Sequence, residues 1–433
     1  MKKFFTNVAF VAVFAALGYL GWRNYELHRQ VRVLTETVAD LEKERRDLQA
    51  RLVTGATEKP EDVSTVRSEI EKQTSALRGL PFKKPVTYKM IGRDELRKIL
   101  QQKLAEQYNS QELRDYGRSF ETLGLIPEGT DLAEAILSLY DEQVAAFYVP
   151  EEHALYTFKD ESFSKNLDRV TLAHELTHAL QDQNFDLLKF PLKIKDNDDL
   201  ALATSALVEG DATLLMAQYY GEHLDVRNML GDVMGGMLGQ KTAKFQAAPP
   251  FLQQLLLFPY QEGTEFVMAV FAAGGTDALN DAFQHPPVSS QQILHPDKFL
   301  HDRHDPETIA LKKLDVPGWR LIADNVLGEF GLRSLLAQHL SVLESQRLAA
   351  GWQGDRYQVY ERGTNGPTAL VWTTAWDTDQ SAADFADAYR RIAEKRSLTV
   401  QLDRDATHVR LRQAKAAGTL DELKMTGDTK PPK

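Results

Sequence analysis

The chain contains no cysteine. A disulfide framework, a thiolate nucleophile and a cysteine-ligated metal are therefore excluded, and any metal site must be built from histidine and carboxylates. It also lacks a basic surplus. Its 62 Asp and Glu outnumber 51 Lys and Arg, giving a formal net charge of −11, and no basic cluster stands out. A general nucleic-acid binder needs the opposite balance to displace counterions from phosphates, so no nucleic-acid partner is expected. Internal repeats and long low-complexity tracts are missing too. What remains is an ordinary globular composition, 43% aliphatic and aromatic over 433 residues. That length exceeds what one hydrophobic core usually serves, so two folded units with appendages are expected.

Long uncharged runs are scarce, and the most prominent stands at the start. Phe4–Trp22 follows Lys2 and Lys3 and is long enough to span a bilayer. The best small-residue cleavage candidate, Ala15-Ala16, lies inside the apolar run, which reads as an uncleaved transmembrane signal anchor over residues 1–24. Lys2, Lys3 and the terminal amine favour a cytoplasmic short end, opposed by Arg23, Arg29 and Arg32 beyond the span, so the body is expected outside the cytoplasm. Over residues 25–54, Leu27, Val31, Leu34, Val38, Leu41, Leu48 and Leu52 recur at alternating three and four, with Arg45 in the remaining slot. This heptad seam serves either a parallel coiled-coil stalk that pairs copies of the chain or one amphipathic helix lying on the protein's own body. Val53–Glu61 loses the periodicity and gains Gly, Pro and charge, opening a linker and helix over residues 55–85. The closing MTGDTKPPK reads as a frayed tail.

Within the body, spacings of three and four predict helices over Asp94–Gln107, Asp131–Asp141, Asn166–Gln183 and Leu200–His223. The β-rich runs Ala145–Val149 and Ala154–Phe158 flank Pro150-Glu151-Glu152, a hairpin signal. An edge strand placed beside a reactive centre can hold an extended peptide by backbone pairing.

The third helix carries His174-Glu175-Leu176-Thr177-His178. Residues four apart share a helix face, so both imidazoles reach one ion, while Glu175 sits one step round and can serve a water as general base. Zinc in such a site acidifies water and polarises a carbonyl, and it takes three protein ligands with one position open. Glu209, in the apolar helix segment LATSALVEGDATLLMAQYY, is the candidate third ligand. Asp211, two positions on, is a candidate acceptor behind a ligand imidazole.

HELTHALQDQ followed by ALVEGDA resembles the gluzincin branch of zinc metallopeptidases, the thermolysin-like superfamily, over about Val86 to Pro296. Membrane-linked bacterial members are the most similar. The resemblance implies an α+β catalytic domain at residues 86–304, a small sheet followed by metal-binding helices. It further implies Zn2+ on His174, His178 and Glu209, with Glu175 as catalytic base and a protein or peptide as substrate. With the N-terminal anchor it implies a single-pass protein of a bacterial inner membrane with the body on the periplasmic side. One departure is plain: many gluzincins carry Asp four residues after the ligand glutamate, where this chain has Thr213.

Peptide hydrolysis also needs a donor for the developing oxyanion. Among His285, His295 and Tyr260, His295 is preferred for its turn-like setting before Pro296, and Tyr260 is the alternative. The methionine-bearing stretch Val226–Leu257 reads as core. Residues 305–433 read as a C-terminal α+β module: a helix from Ile322 to about Glu344, strands in DRYQVYER and TALVWTTAWD, a helix over Ala382–Arg396, then strands LTVQL and HVRLR. The rival reading, from a different class, is a noncatalytic membrane-tethered assembly factor with a structural or vestigial metal site. Retention of Glu175 favours the enzyme, since a structural site needs no base.

Overall fold

The structure is a computed structural model and describes residues 63–141, 146–159, 163, 166–223, 243–301 and 303–424. The expected anchor, stalk and joint, residues 226–242 of the methionine-bearing stretch and the C-terminal tail lie outside the described residues. The chain divides into two compact units between Val66 and Arg67, and the second, residues 67–433, holds both sheets and every helix after the first.

In chain order the elements are α1 (Val63–Arg78), β1 (Thr87–Ile91), α2 (Arg93–Gln107), α3 (Ser110–Leu123), α4 (Leu132–Asp141), β2 (Ala146–Val149), β3 (Ala154–Phe158), α5 (Asn166–Phe185), α6 (Asp198–His223) and α7 (Pro250–Gln284). After short turns Ser290–Leu294 and Asp297–Leu300 come β4 (Trp319–Asn325), α8 (Gly328–Ala337), α9 (Val342–Ala349), β5 (Trp352–Arg362), β6 (Thr368–Trp376), α10 (Asp379–Lys395), β7 (Thr399–Asp405), β8 (His408–Ala414) and α11 (Ala417–Lys424). The architecture is α+β, with a three-stranded sheet ordered β1-β3-β2 and a five-stranded antiparallel sheet ordered β4-β5-β6-β8-β7.

The small sheet places the expected hairpin. β2 and β3 pair antiparallel across Pro150–Glu152, and His153 closes the turn in the left-handed region at φ 47°. Every β3 residue is buried, because β1 joins its other side in parallel and leaves β2 at the edge. In this pairing the backbones of Phe147 and Val149 face β3, while that of Tyr148 points outward, as its N–H bond to α5 shows.

Helices α5 and α6 form the centre. Among the described residues, α6 is the one helix long and apolar enough to cross a membrane. Here it is a core helix, with Ala203, Ala206, Leu207 and Ala212 fully enclosed. Its contact with α7 is backbone against backbone. A Cβ on Gly210 would lie 2.3 Å from the Gly263 carbonyl oxygen, and one on Gly263 would lie 2.3 Å from that of Ala206. Only glycine permits this approach, and it draws Tyr260 of α7 onto the same region as Glu209 of α6. α7 itself carries Pro259 in its interior and breaks at Gly274-Gly275, with Gly275 at φ 63°. Pro250 starts the helix, where a missing N–H costs nothing.

One expectation for the C-terminal region needs correction. Ile322 begins no helix: it lies in strand β4, and α8 opens only at Gly328, whose φ is 73°. Apolar packing is continuous across residue 305. One apolar cluster runs from Phe120 and Leu123 through Leu207, Phe258 and Phe266 to Leu335, Trp372 and Leu411. Polar contacts cross the same line. Ser290, whose N–H and hydroxyl donate to Asp199 of α6, accepts from the Phe330 N–H of α8, Gly328 packs so closely that a Cβ would collide with Asp199, and Glu361 of β5 accepts from Arg114 and Arg118 of α3.

Two outcomes are expected from these contacts. Gly263→Ala should force α6 and α7 apart, lowering the melting temperature by several degrees, whereas Gly221→Ala, with open space around it on α6, should lack this steric cost. Burial raises the pKa of Asp199 to about 7. The folded state therefore holds this proton more tightly than the unfolded chain, and stability should fall as pH rises from about 4 through 7. Thermal unfolding of Asp199→Asn should show that slope reduced; an unchanged slope would remove Asp199 as its source.

Candidate metal centre

The α5 face toward α6 carries His174 and His178, and Glu209 reaches it from α6. His174 Nε2 lies 3.2 Å from His178 Nε2 and 3.2 Å from Glu209 Oε2, and His178 Nε2 lies 3.4 Å from the same oxygen. Among the described residues this is the one group of three histidine or acidic side chains converging closely enough to hold a metal ion. The triangle is of a size that a metal ion could occupy. Ligands about 2.0–2.1 Å from zinc at tetrahedral angles stand about 3.3–3.4 Å apart, so the residues fit the ion without rearrangement. Both histidines are buried and Glu209 is nearly so.

Glu175 is on the neighbouring face and does not join the triangle. Its carboxylate accepts the N–H of Tyr148, on the open edge of β2, at 2.8 Å. The Tyr148 phenol donates to Asp182 at 2.7 Å, further along α5, and Asp182 also meets His153 Nδ1 at 2.7 Å. The hairpin is thus fastened to the histidine helix at Glu175 and Asp182, seven residues apart on one face.

Charge in the centre follows from burial and proximity. Burial pushes the Glu175 carboxyl above its ordinary range, against the pull of His178 and His174. Burial disfavours charge on His178, but the Glu209 carboxylate beside it prevails and raises the imidazole to about 9. Burial acts against Glu209 in the same way, and the two histidines reverse it, holding the carboxyl well below its usual range.

Comparison with known proteins adds little at this site. A model described as a domain of unknown function (DUF8575) matches residues 319–428, from β4 past α11, and includes none of the converging residues. No curated protein matches the chain. A solved structure from Chloroflexus aurantiacus, described as a candidate hydrolase with a novel fold, is 17% identical over 56% of this chain and 89% of its own, with a TM-score of 0.38. That level of similarity carries no argument about fold or chemistry.

The remaining sequence candidates sort clearly. Tyr260 lies over the centre, its ring 6.1 Å from that of His174 and 25° from parallel. His295, the preferred oxyanion residue, turns elsewhere: its Nε2 is 2.7 Å from Glu329 Oε1 of α8, a buried carboxylate that needs a partner. His285 is exposed and pairs with Asp281. Asp211 is buried behind the centre but does not touch an imidazole. The residue at His178 Nδ1 is Gln181, at 2.9 Å, which sequence reading missed although its spacing of three from His178 puts both on one face. Thr213, where many gluzincins carry Asp, has its hydroxyl buried without a partner, as is Nδ1 of His174.

Proposed function

We propose that the chain is a zinc-dependent peptidase of the gluzincin type, holding the ion on His174, His178 and Glu209 with Glu175 as general base. The observation that carries this reading is the ligand triangle with 3.2–3.4 Å edges, with a carboxylate outside it poised at an edge strand. Zinc bound there supplies Lewis acidity, polarising a carbonyl and acidifying a water. Glu175 removes the proton from the attacking water, a task suited to a carboxyl raised by burial, and returns it to the amine that leaves. The outward edge of β2 gives an extended peptide a strand to pair with once Glu175 releases the Tyr148 N–H that it accepts in this structure. Tyr260 is the donor for the oxyanion, since its ring stands 6.1 Å from that of His174, near the ligand triangle. The sequence of residues 1–54 supports an anchored protein of a bacterial inner membrane with its body on the periplasmic side, and a coiled coil able to pair two copies.

Two experiments test this assignment. Glu175→Gln should keep zinc while losing about 10²–10⁴-fold in turnover of a peptide library; full activity would remove the base, and loss of metal would make Glu175 a ligand instead. Glu209→Ala should lose zinc, and unchanged metal content would remove the third ligand. Separately, Tyr260→Phe should lower kcat about 10²-fold with little change in KM. His295→Ala should cost stability by stranding Glu329, not turnover. The opposite pattern would restore His295 as the oxyanion residue.

A further inference from the structure

Behind His178 lies a chain of buried hydrogen bonds whose direction can be worked out link by link. The Gln181 amide nitrogen has two protons, and both are used, one on the Val208 carbonyl at 3.0 Å and one on the Asp211 carboxylate at 2.9 Å. The amide therefore cannot flip, and its oxygen is turned to His178 Nδ1 at 2.9 Å. An amide oxygen only accepts, so Nδ1 must carry the proton, and a neutral His178 presents a bare Nε2 to the triangle. The orientation of Gln181 depends in turn on Asp211, which accepts from Arg78 Nε at 2.9 Å. Arg78 is 4% exposed, belongs to the last turn of α1, and also donates to Asn280 of α7 at 2.9 Å. The segment after Arg78 is pinned to the end of α5: Gln183 accepts the N–H groups of Lys83 and Lys84, and Asn184 donates to the Pro81 carbonyl.

We infer that Gln181, Asp211 and Arg78 form a positioning relay that fixes the ligand tautomer of His178, so that docking of α1 sets the metal affinity of the centre. The inference rests on the zinc reading for its consequence, though not for its geometry. Removing Arg78 leaves Asp211 as a buried carboxylate without a cation. Asp211 is then no longer held in place, Gln181 loses the anchor that holds its oxygen on His178, and the imidazole is free to put its proton on Nε2. The helix that leads out of the N-terminal segment is thereby part of the metal centre, although it supplies no ligand.

The test uses the full-length chain labelled with 15N-histidine, metal-free for NMR at a pH above the His178 value of about 9 so that the ring is neutral, and then titrated with zinc. Wild type should show His178 as the Nδ1–H tautomer. Gln181→Met and Arg78→Met should both shift it toward Nε2–H and weaken zinc binding about 10–100-fold. Arg78→Lys, which keeps a cation beside Asp211, should restore part of both. If Gln181→Met does not fold, Asp211→Asn reads the same tautomer with volume preserved. An unchanged tautomer in the folded variants, or zinc affinity equal to wild type, would overturn the relay. A wild-type chain with the Nδ1–H tautomer that binds no zinc would leave the relay standing and sink the peptidase reading.

Discussion

Two imidazole nitrogens and a carboxylate oxygen stand within 3.4 Å of one another in a largely buried site. Desolvation opposes charge at each of these groups, so the arrangement persists only where the scaffold leaves the side chains nowhere else to go. α5 fixes the two histidines four residues apart. α6 brings Glu209 to them, and the close approach at Gly210 and Gly263 brings α7 with Tyr260 to the same place. The rest of the fold supports that convergence: the hairpin fastened at Glu175 and Asp182, the relay behind His178, and the C-terminal sheet sharing one core with the helices.

The chemistry follows from how unequally the environment treats similar groups. Glu175 and Glu209 are both buried carboxyls, yet one is raised and the other lowered. Both have the histidines nearby, but for Glu175 burial outweighs them, whereas Glu209 also hydrogen-bonds both imidazoles directly. A raised carboxyl suits a proton carrier and a lowered one suits a permanent anion. On this account the two glutamates divide the labour of base and ligand.

Much of this was legible in the sequence, and the reasons are local. The histidine helix, the hairpin before it and the Glu209 helix declare themselves because their periodicities are set by 3.6 and 2 residue repeats over long, uninterrupted stretches. α3 carries its own signal in the sequence, Asn109 capping with Glu112 three residues into the helix. α7 was hidden by Pro259 and its glycines, whose value is tertiary: close helix contact appears in sequence only as interruption. The choice between His295 and Tyr260 depended on which side chain a remote carboxylate would claim, and no spacing along the chain encodes Glu329. Gln181 and Asp182 were both visible as polar neighbours of the motif. Only the fold shows that one turns to His178 and the other to the hairpin.

The central claim is that this triangle is a zinc site. It is tested most directly by X-ray absorption at the zinc edge on the full-length chain loaded with one equivalent of the metal. The account predicts two imidazole ligands and carboxylate or water oxygens at about 2.0–2.2 Å in four-coordinate geometry. A spectrum without histidine scattering, or a chain that retains no zinc, would contradict it.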